Sequence, residues 1–231
     1  MANRPLDNSQ SDTKLRILDA AERLFARHGF HRTSIKRLAS EAKVNLAAVN
    51  YHFGSKMTLI EKVVERRWRP INQKRMEGLE TLRRNAAPKD AGPLVRECLR
   101  AFIEPAFTPD MRTREKRCFL ALAAQAFSDP DDTIRTIFIN QFKTPFKFLF
   151  EVLHDALPDL PEDALFWRLH FVVGAMTHCM RLCGAGLPSS EISPSGNDLG
   201  TVTELLLDFI TSGMHAPCSC VADPAKTGTG R

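Results

Sequence analysis

Two short helical patterns joined by a brief turn, between Thr33 and Phe53, constrain this chain more than any other feature. The first, Thr33-Ser34-Ile35-Lys36-Arg37-Leu38-Ala39-Ser40-Glu41-Ala42, opens on hydroxyl residues suited to an N-cap. The second runs from Asn45 to Phe53, and Gly54-Ser55 ends it and caps a long helix from Lys56. Helices this short hold only when they pack on one another. Such packing needs small residues at the crossing, here Ala39 and Ala42, and apolar ones at the corner, here Leu38, Val44 and Val49. Asn45, Ala47, Ala48, Asn50, Tyr51 and His52 are left to face outward, and most of them are poor core material. A helix-turn-helix presents its second helix in this way, with its first turns against base edges in the major groove of duplex DNA.

The outward residues divide by chemistry. Asn45 and Asn50 suit bidentate pairing with adenine, and Ala47 and Ala48 are short enough to approach a thymine methyl. Tyr51, the chain's single tyrosine, carries a hydroxyl that donates to phosphate oxygen. Lys56 stands at the amino end of the next helix, where the dipole also favours a phosphate. The plainer alternative is a helical hairpin packed into a core; two Asn, a Tyr, a His and flanking Lys argue against it.

Charge distribution agrees. Of 32 basic and 27 acidic residues, ten basic and five acidic lie up to Lys56, leaving 22 of each sign beyond it. The whole positive excess of +5 therefore sits in the first quarter, as a polyanion-facing end requires. Cys98 and Cys118 are isolated, Cys179 and Cys183 lie one helical turn apart, and Cys218 and Cys220 sit near the end, so no zinc-site spacing is present. No Ser/His/Asp order, carboxylate pair or glycine-rich phosphate loop supports catalysis, and neither cofactor nor metal is expected. No apolar run reaches the length of a membrane span, and MANRPLDNSQSDTK lacks a hydrophobic signal segment, so a cytoplasmic protein without membrane contact is expected.

Along the chain, residues 1–11 read as a disordered arm. Ile17, Ala21, Leu24 and Phe25, widened by Leu15 and Leu18, mark a first helix from Asp12 to Gly29. Helical patterns continue near 90–107, 111–128, 131–157, 161–186 and 197–214, and strand patterns are nearly absent. Arg69-Pro70 kinks or ends the long helix from Lys56. Residues 187–196 read as a loop and 216–231 as a flexible tail. The fold class is all-α: a three-helix helix-turn-helix head at 12–56, joined to a helical body at 57–215.

The stretch Ile17-Leu18-Asp19-Ala20-Ala21, then Leu24-Phe25-Ala26-Arg27-His28-Gly29-Phe30, Thr33-Ser34, Leu38-Ala39, Val44 and Val49-Asn50-Tyr51-His52-Phe53-Gly54-Ser55-Lys56 resembles the TetR-type transcriptional regulators over residues 13–62. That resemblance implies a DNA-binding head on a ligand-binding, dimerising helical body, most simply a ligand-responsive repressor on a palindromic operator. By match to the motif, Thr33, Tyr51, His52 and Lys56 would anchor phosphates, with Ser34 and Lys43 beside them, while Asn45, Ala47, Ala48 and Asn50 face bases. The family usually has Gly in the turn where this chain has Lys43; a left-handed Lys costs roughly 1 kcal/mol over Gly.

Twelve of the fifteen phenylalanines lie after residue 100. Any one is most simply core. As a set, Phe119, Phe127, Phe142, Phe146, Phe166, Trp167, His170 and Phe171 suggest an apolar effector cavity within a helical bundle. The segments VNLAAVNYHFGSK and LFWRLHF are similar to the fatty-acid-responsive branch of the family, which implies a small apolar effector such as a fatty acid or acyl-CoA. The resemblance further implies a homodimer through the last two helices, where Gly174, Ala175, Met176 and Leu205 to Leu207 permit close packing. The alternative is a constitutive DNA-binding or architectural protein whose body only dimerises.

Overall fold

The computed structural model describes residues 6–85, 91–107, 114–127, 129–185 and 199–218, and among them there are helices and no strands. In chain order these are α1 (Leu6–His28), α2 (Ile35–Ala42), α3 (Leu46–Phe53), α4 (Lys56–Asn85), α5 (Ala91–Ile103), a 3-10 turn (Glu104–Ala106), α6 (Arg114–Ala126), α7 (Asp132–Ala156), α8 (Glu162–Ala185) and α9 (Leu199–His215). The helices after residue 90 fall within a few residues of their apolar patterns. The first helix does not: it begins at Leu6, so 6–11 are helical rather than a disordered arm. Those residues are polar but contain no Gly or Pro to break the helix that Ile17 and Leu24 anchor. Leu15 is exposed and adds nothing to the buried stripe. α4 continues through Pro70 to Asn85 instead of ending there. The loop at 187–196 lies outside the described residues, as do 1–5 and 219–231.

The chain forms two compact units. The first comprises residues 1–71, 109–142 and 180–193. Its core joins the buried faces of α1 (Ile17, Ala21, Leu24, Phe25), α2 (Leu38, Ala39, Ala42), α3 (Val49, Phe53) and α4 (Leu59, Ile60, Val63, Val64). Phe30, just after the αL turn at Gly29, seats its ring 5.2 Å from Phe25 and 5.6 Å from Phe138 of α7. An aromatic chain continues from Phe127 to Phe142 at 5.0 Å and from Phe142 to Trp68 at 4.8 Å. The unit thus reaches past Lys56 to include α6 and the start of α7. Three short helices bury too little apolar surface to stand alone, and α1 packs on α6 as well as on α2.

The second unit comprises residues 72–108, 143–179 and 194–231. α5 packs along α9, where Arg96 and Arg100 both pair with Glu204. Gly78 permits the close approach of α4 to α5, since a Cβ there would lie 3.1 Å from that of Ala101. Arg75 is wholly buried; its Nε donates to the Phe102 carbonyl at 2.6 Å, and its guanidinium lies 4.4 Å from the Phe102 ring centroid. Burial pulls its pKa down to about 9, which still leaves the group charged at neutral pH.

Candidate nucleic-acid interface

The turn between α2 and α3 is built by caps. Ser34 Oγ accepts from the Arg37 amide at 3.2 Å and starts α2. Lys43 ends it in the left-handed conformation, φ 53° and ψ 48°, the geometry for which glycine is favoured. The turn keeps its form because backbone and side chain both close it. The Val44 amide donates to the Ala39 carbonyl at 3.0 Å, and the Arg16 guanidinium reaches across from α1 to the carbonyls of Ala42 (2.7 Å) and Lys43 (2.8 Å). Arg16 thereby satisfies the carbonyl end of α2 and places positive charge on its negative dipole end. No local sequence signal marks this residue, because its partners lie 26 and 27 positions away.

α3 is eight residues long and has two faces. Val49 and Phe53 are buried; Ala47, Asn50 and Tyr51 are exposed, Tyr51 at 75%. Ala48 and His52 are half-buried, with the His52 ring edge-on to Tyr51 at 5.2 Å. Asn45 is the N-cap, its Oδ1 accepting from the Ala48 amide at 2.7 Å. That bond takes one lone pair of its carbonyl oxygen and leaves the side-chain N–H groups unused by the cap.

Thr33 departs from its expected role. It is fully buried, and its hydroxyl donates to the carbonyl of Gly29 at 2.8 Å, so it holds the α1–α2 corner and cannot anchor a phosphate. Ser34 is exposed, and its oxygen accepts at the cap, which leaves the hydroxyl's own donor uncommitted by that bond. Lys56 is half-buried at the start of α4, where its Nζ donates to the His31 carbonyl at 3.4 Å and desolvation lowers its pKa. Leu46, passed over in the sequence because it falls in helical step with Val49 and Phe53, is 40% exposed in the first turn of α3.

Ion pairing concentrates positive charge on the outer surface. Asp19 is held by Arg66 at 2.6 Å, Glu22 by Arg67 and Glu41 by Arg23 at 3.5 Å. Arg32, Lys36 and Lys43 stand exposed. The residue excess read from the sequence thus becomes a field in which most of the acids are neutralised.

The aromatic set of the body is divided between the two units. Phe119 and Phe142 are buried and Phe127 half-buried, all in the first unit. Phe166, Trp167, His170 and Phe171 lie on the outer face of α8, with Trp167 59% and Phe171 67% exposed, so they do not line an enclosed cavity. The half-buried Phe146 packs beneath them, 5.3 Å from the His170 ring. α8 is apolar on two sides, and sequence period cannot tell the inner side from the outer. Arg168 donates to the carbonyls of Met214 (2.6 Å) and Ala216 (2.7 Å), closing the end of α9. Among the described residues no cluster of metal-ligating side chains occurs, and no helix is long and apolar enough to cross a membrane.

A capped short α2, an αL turn and a polar-faced α3 define a helix-turn-helix DNA-binding protein, and comparison with known sequences agrees. Residues 17–63 match the family described as "Bacterial regulatory proteins, tetR family", and residues 100–213 match "Tetracyclin repressor-like, C-terminal domain". The chain belongs to the TetR family of DNA-binding transcriptional regulators, which are not enzymes. The HTH-type transcriptional regulator UidR of Escherichia coli K12 is 34% identical over 62 residues, 26% of this chain and 32% of UidR. The match therefore spans about a third of that relative's length.

Solved structures share the fold. FadR from Bacillus subtilis, in complex with stearoyl-CoA, superposes with a TM-score of 0.64 at 14% identity, over 87% of this chain and 99% of that one. A TetR-like regulator from Rhodococcus sp. RHA1 gives 0.56 at 18% identity, over 94% of this chain and all of that one (100%).

Proposed function

We propose that this regulator is a repressor that binds a palindromic operator as a homodimer through α8 and α9 and is released by a small apolar effector. The observation that carries the dimer is the outer face of those helices. Phe166, Trp167, Phe171, Leu205 and Phe209 are all exposed there, Phe209 at 72%. Beside them runs a groove of about 640 Å³ lined by Phe171, Val172, Phe209 and Ile210. An aromatic patch of this kind marks an interaction surface, and a two-fold axis lets each copy cover the other's. A dimer of heads reads two half-sites spaced by whole helical turns.

For the effector, the buried Phe119 and Phe142 and the half-buried Phe127 offer apolar surface in the first unit, and the FadR fold relative carries stearoyl-CoA. A long acyl thioester or fatty acid is the effector class we assign. Release requires that the ligand bind the DNA-incompetent state more tightly than the competent one.

Binding-site selection on random duplexes, with and without stearoyl-CoA or free fatty acid, tests this reading. An enriched palindrome bound by two protomers and weakened by the acyl ligand is the expected result. Within it, Asn50→Ala relaxes preference at one base position per half-site, whereas Tyr51→Phe weakens every site alike, by roughly fivefold for one lost phosphate hydrogen bond. No enriched palindrome would defeat the reading. A palindrome indifferent to every acyl ligand would leave the constitutive DNA-binding protein whose body only dimerises.

A further inference from the structure

The amino-terminal turn of α3 carries an apolar side chain that the core covers only in part. Leu46 retains 40% of its surface, beside the exposed Ala47 and one turn before the exposed Asn50. The structural work of the helix is done elsewhere, by Val49 and Phe53 in the core and by Asn45 at the cap. A helix-turn-helix lays this first turn on base edges, and the major groove offers there a single apolar group, the 5-methyl of thymine. Opposite any other base, Leu46 would cover polar edge atoms and leave them without water or a partner, which costs free energy. A leucine in this position both favours thymine and disfavours the alternatives.

We propose that Leu46 is a specificity-determining residue that reads a thymine methyl in each half-site, with Ala47 short enough to let it approach. The inference rests on DNA binding through α3 and adds one base position to those assigned to Asn50.

Replacing thymine by deoxyuridine deletes the methyl and keeps the pairing. In the selected operator, each thymine is replaced in turn and affinity is measured for the wild type, Leu46→Ala and Ala47→Gly. At one thymine per half-site the wild type loses about three- to fivefold, the worth of one buried methyl. Leu46→Ala binds the thymine and deoxyuridine sites equally, and circular dichroism shows it still folded below its melting transition, since alanine's helix propensity partly offsets the packing lost from the covered part of Leu46. The proposal is overturned if no deoxyuridine weakens the wild type, or if Leu46→Ala keeps the full preference. It is overturned too if only Ala47→Gly abolishes that preference. Failure to select any site would instead strike at DNA binding itself.

Discussion

α3 and α8 each turn an unpartnered face outward, and the two faces are made differently. On α3 Leu46, Ala47, Asn50 and Tyr51 are exposed, set against the buried Val49 and Phe53, in a segment fixed by caps at both ends. On α8 the exposed residues include Phe166, Trp167 and Phe171, as apolar as the buried Leu165, Leu169 and Val172 that alternate with them. A polar face remains soluble while it waits for DNA. An aromatic face exposes apolar area that is favourable to cover at any time. The first suits reversible, salt-dependent binding and the second a standing association.

The largest effect should follow from spoiling the second face. Trp167→Glu combined with Phe209→Glu would place four charges in the proposed two-fold interface without touching the head. Sedimentation should show monomers at micromolar concentration. Operator affinity should fall by on the order of a hundredfold or more, because the second head loses its effective concentration. Near-wild-type binding of a single half-site should persist. A double variant that remained dimeric would remove the contrast drawn between α3 and α8.

The first face depends on its support, and Arg16→Ala tests that. The substitution strips two carbonyls at the end of α2 of their charged donor and removes a favourable interaction with the helix dipole. The expected cost is about 2 kcal/mol of stability, read as a lowered melting midpoint. Base preferences should be unchanged, since Arg16 touches the turn and not the groove face. A shift in the selected sequence would show that Arg16 reads DNA and that the cap is secondary.

How far each region was legible follows from the same contrast. α3 was readable because amphipathic period sorts Val49 and Phe53 from Asn50 and Tyr51, and because Gly54 and Ser55 punctuate it. α8 gave helix length but no orientation, so residues of its outer face were read as cavity lining. Thr33 was misjudged for another reason: a hydroxyl near a helix start serves equally the backbone and a ligand, and only burial and hydrogen bonds decide. Arg16 was invisible, since a contact across 26 residues leaves no local trace.

Within the second unit, the α5–α9 ion pairs should give the packing of α9 on α5 an acid response. The Arg100 hydrogen bond, reinforced by the charges of Arg100 and Arg96, holds the Glu204 carboxyl below its ordinary 4.5, and Glu204 raises Arg100 in turn. A folded-state value below the unfolded one means stability that is present above the unfolded value and lost as pH falls through the folded one. Acid below about 4.5 should therefore loosen α9 from α5 and favour dissociation. Glu204→Gln should lower stability at neutral pH and flatten that acid limb. Sedimentation and thermal melting across pH 3 to 7, on the order of the carboxylate range, would show an unchanged limb if other carboxylates control it. The effect is smaller than that of Arg16→Ala, because the pair is exposed and screened.

Lys43→Gly should have the smallest effect, and its two consequences have opposite sign. Glycine relieves the left-handed strain at φ 53°, raising stability by about half a kcal/mol after allowance for the freer unfolded chain. The same change removes an exposed cation beside the amino end of α3. If Lys43 meets a phosphate, the slope of log affinity against log salt should fall by about 0.9 for each head. A more stable protein with an unchanged salt slope would mean that lysine serves the turn alone and that the phosphate contacts lie with Tyr51 and the start of α4. A less stable protein would mean that the stem of Lys43 packs on the corner. In that case the polar face of α3 would depend on its turn residue for more than backbone geometry.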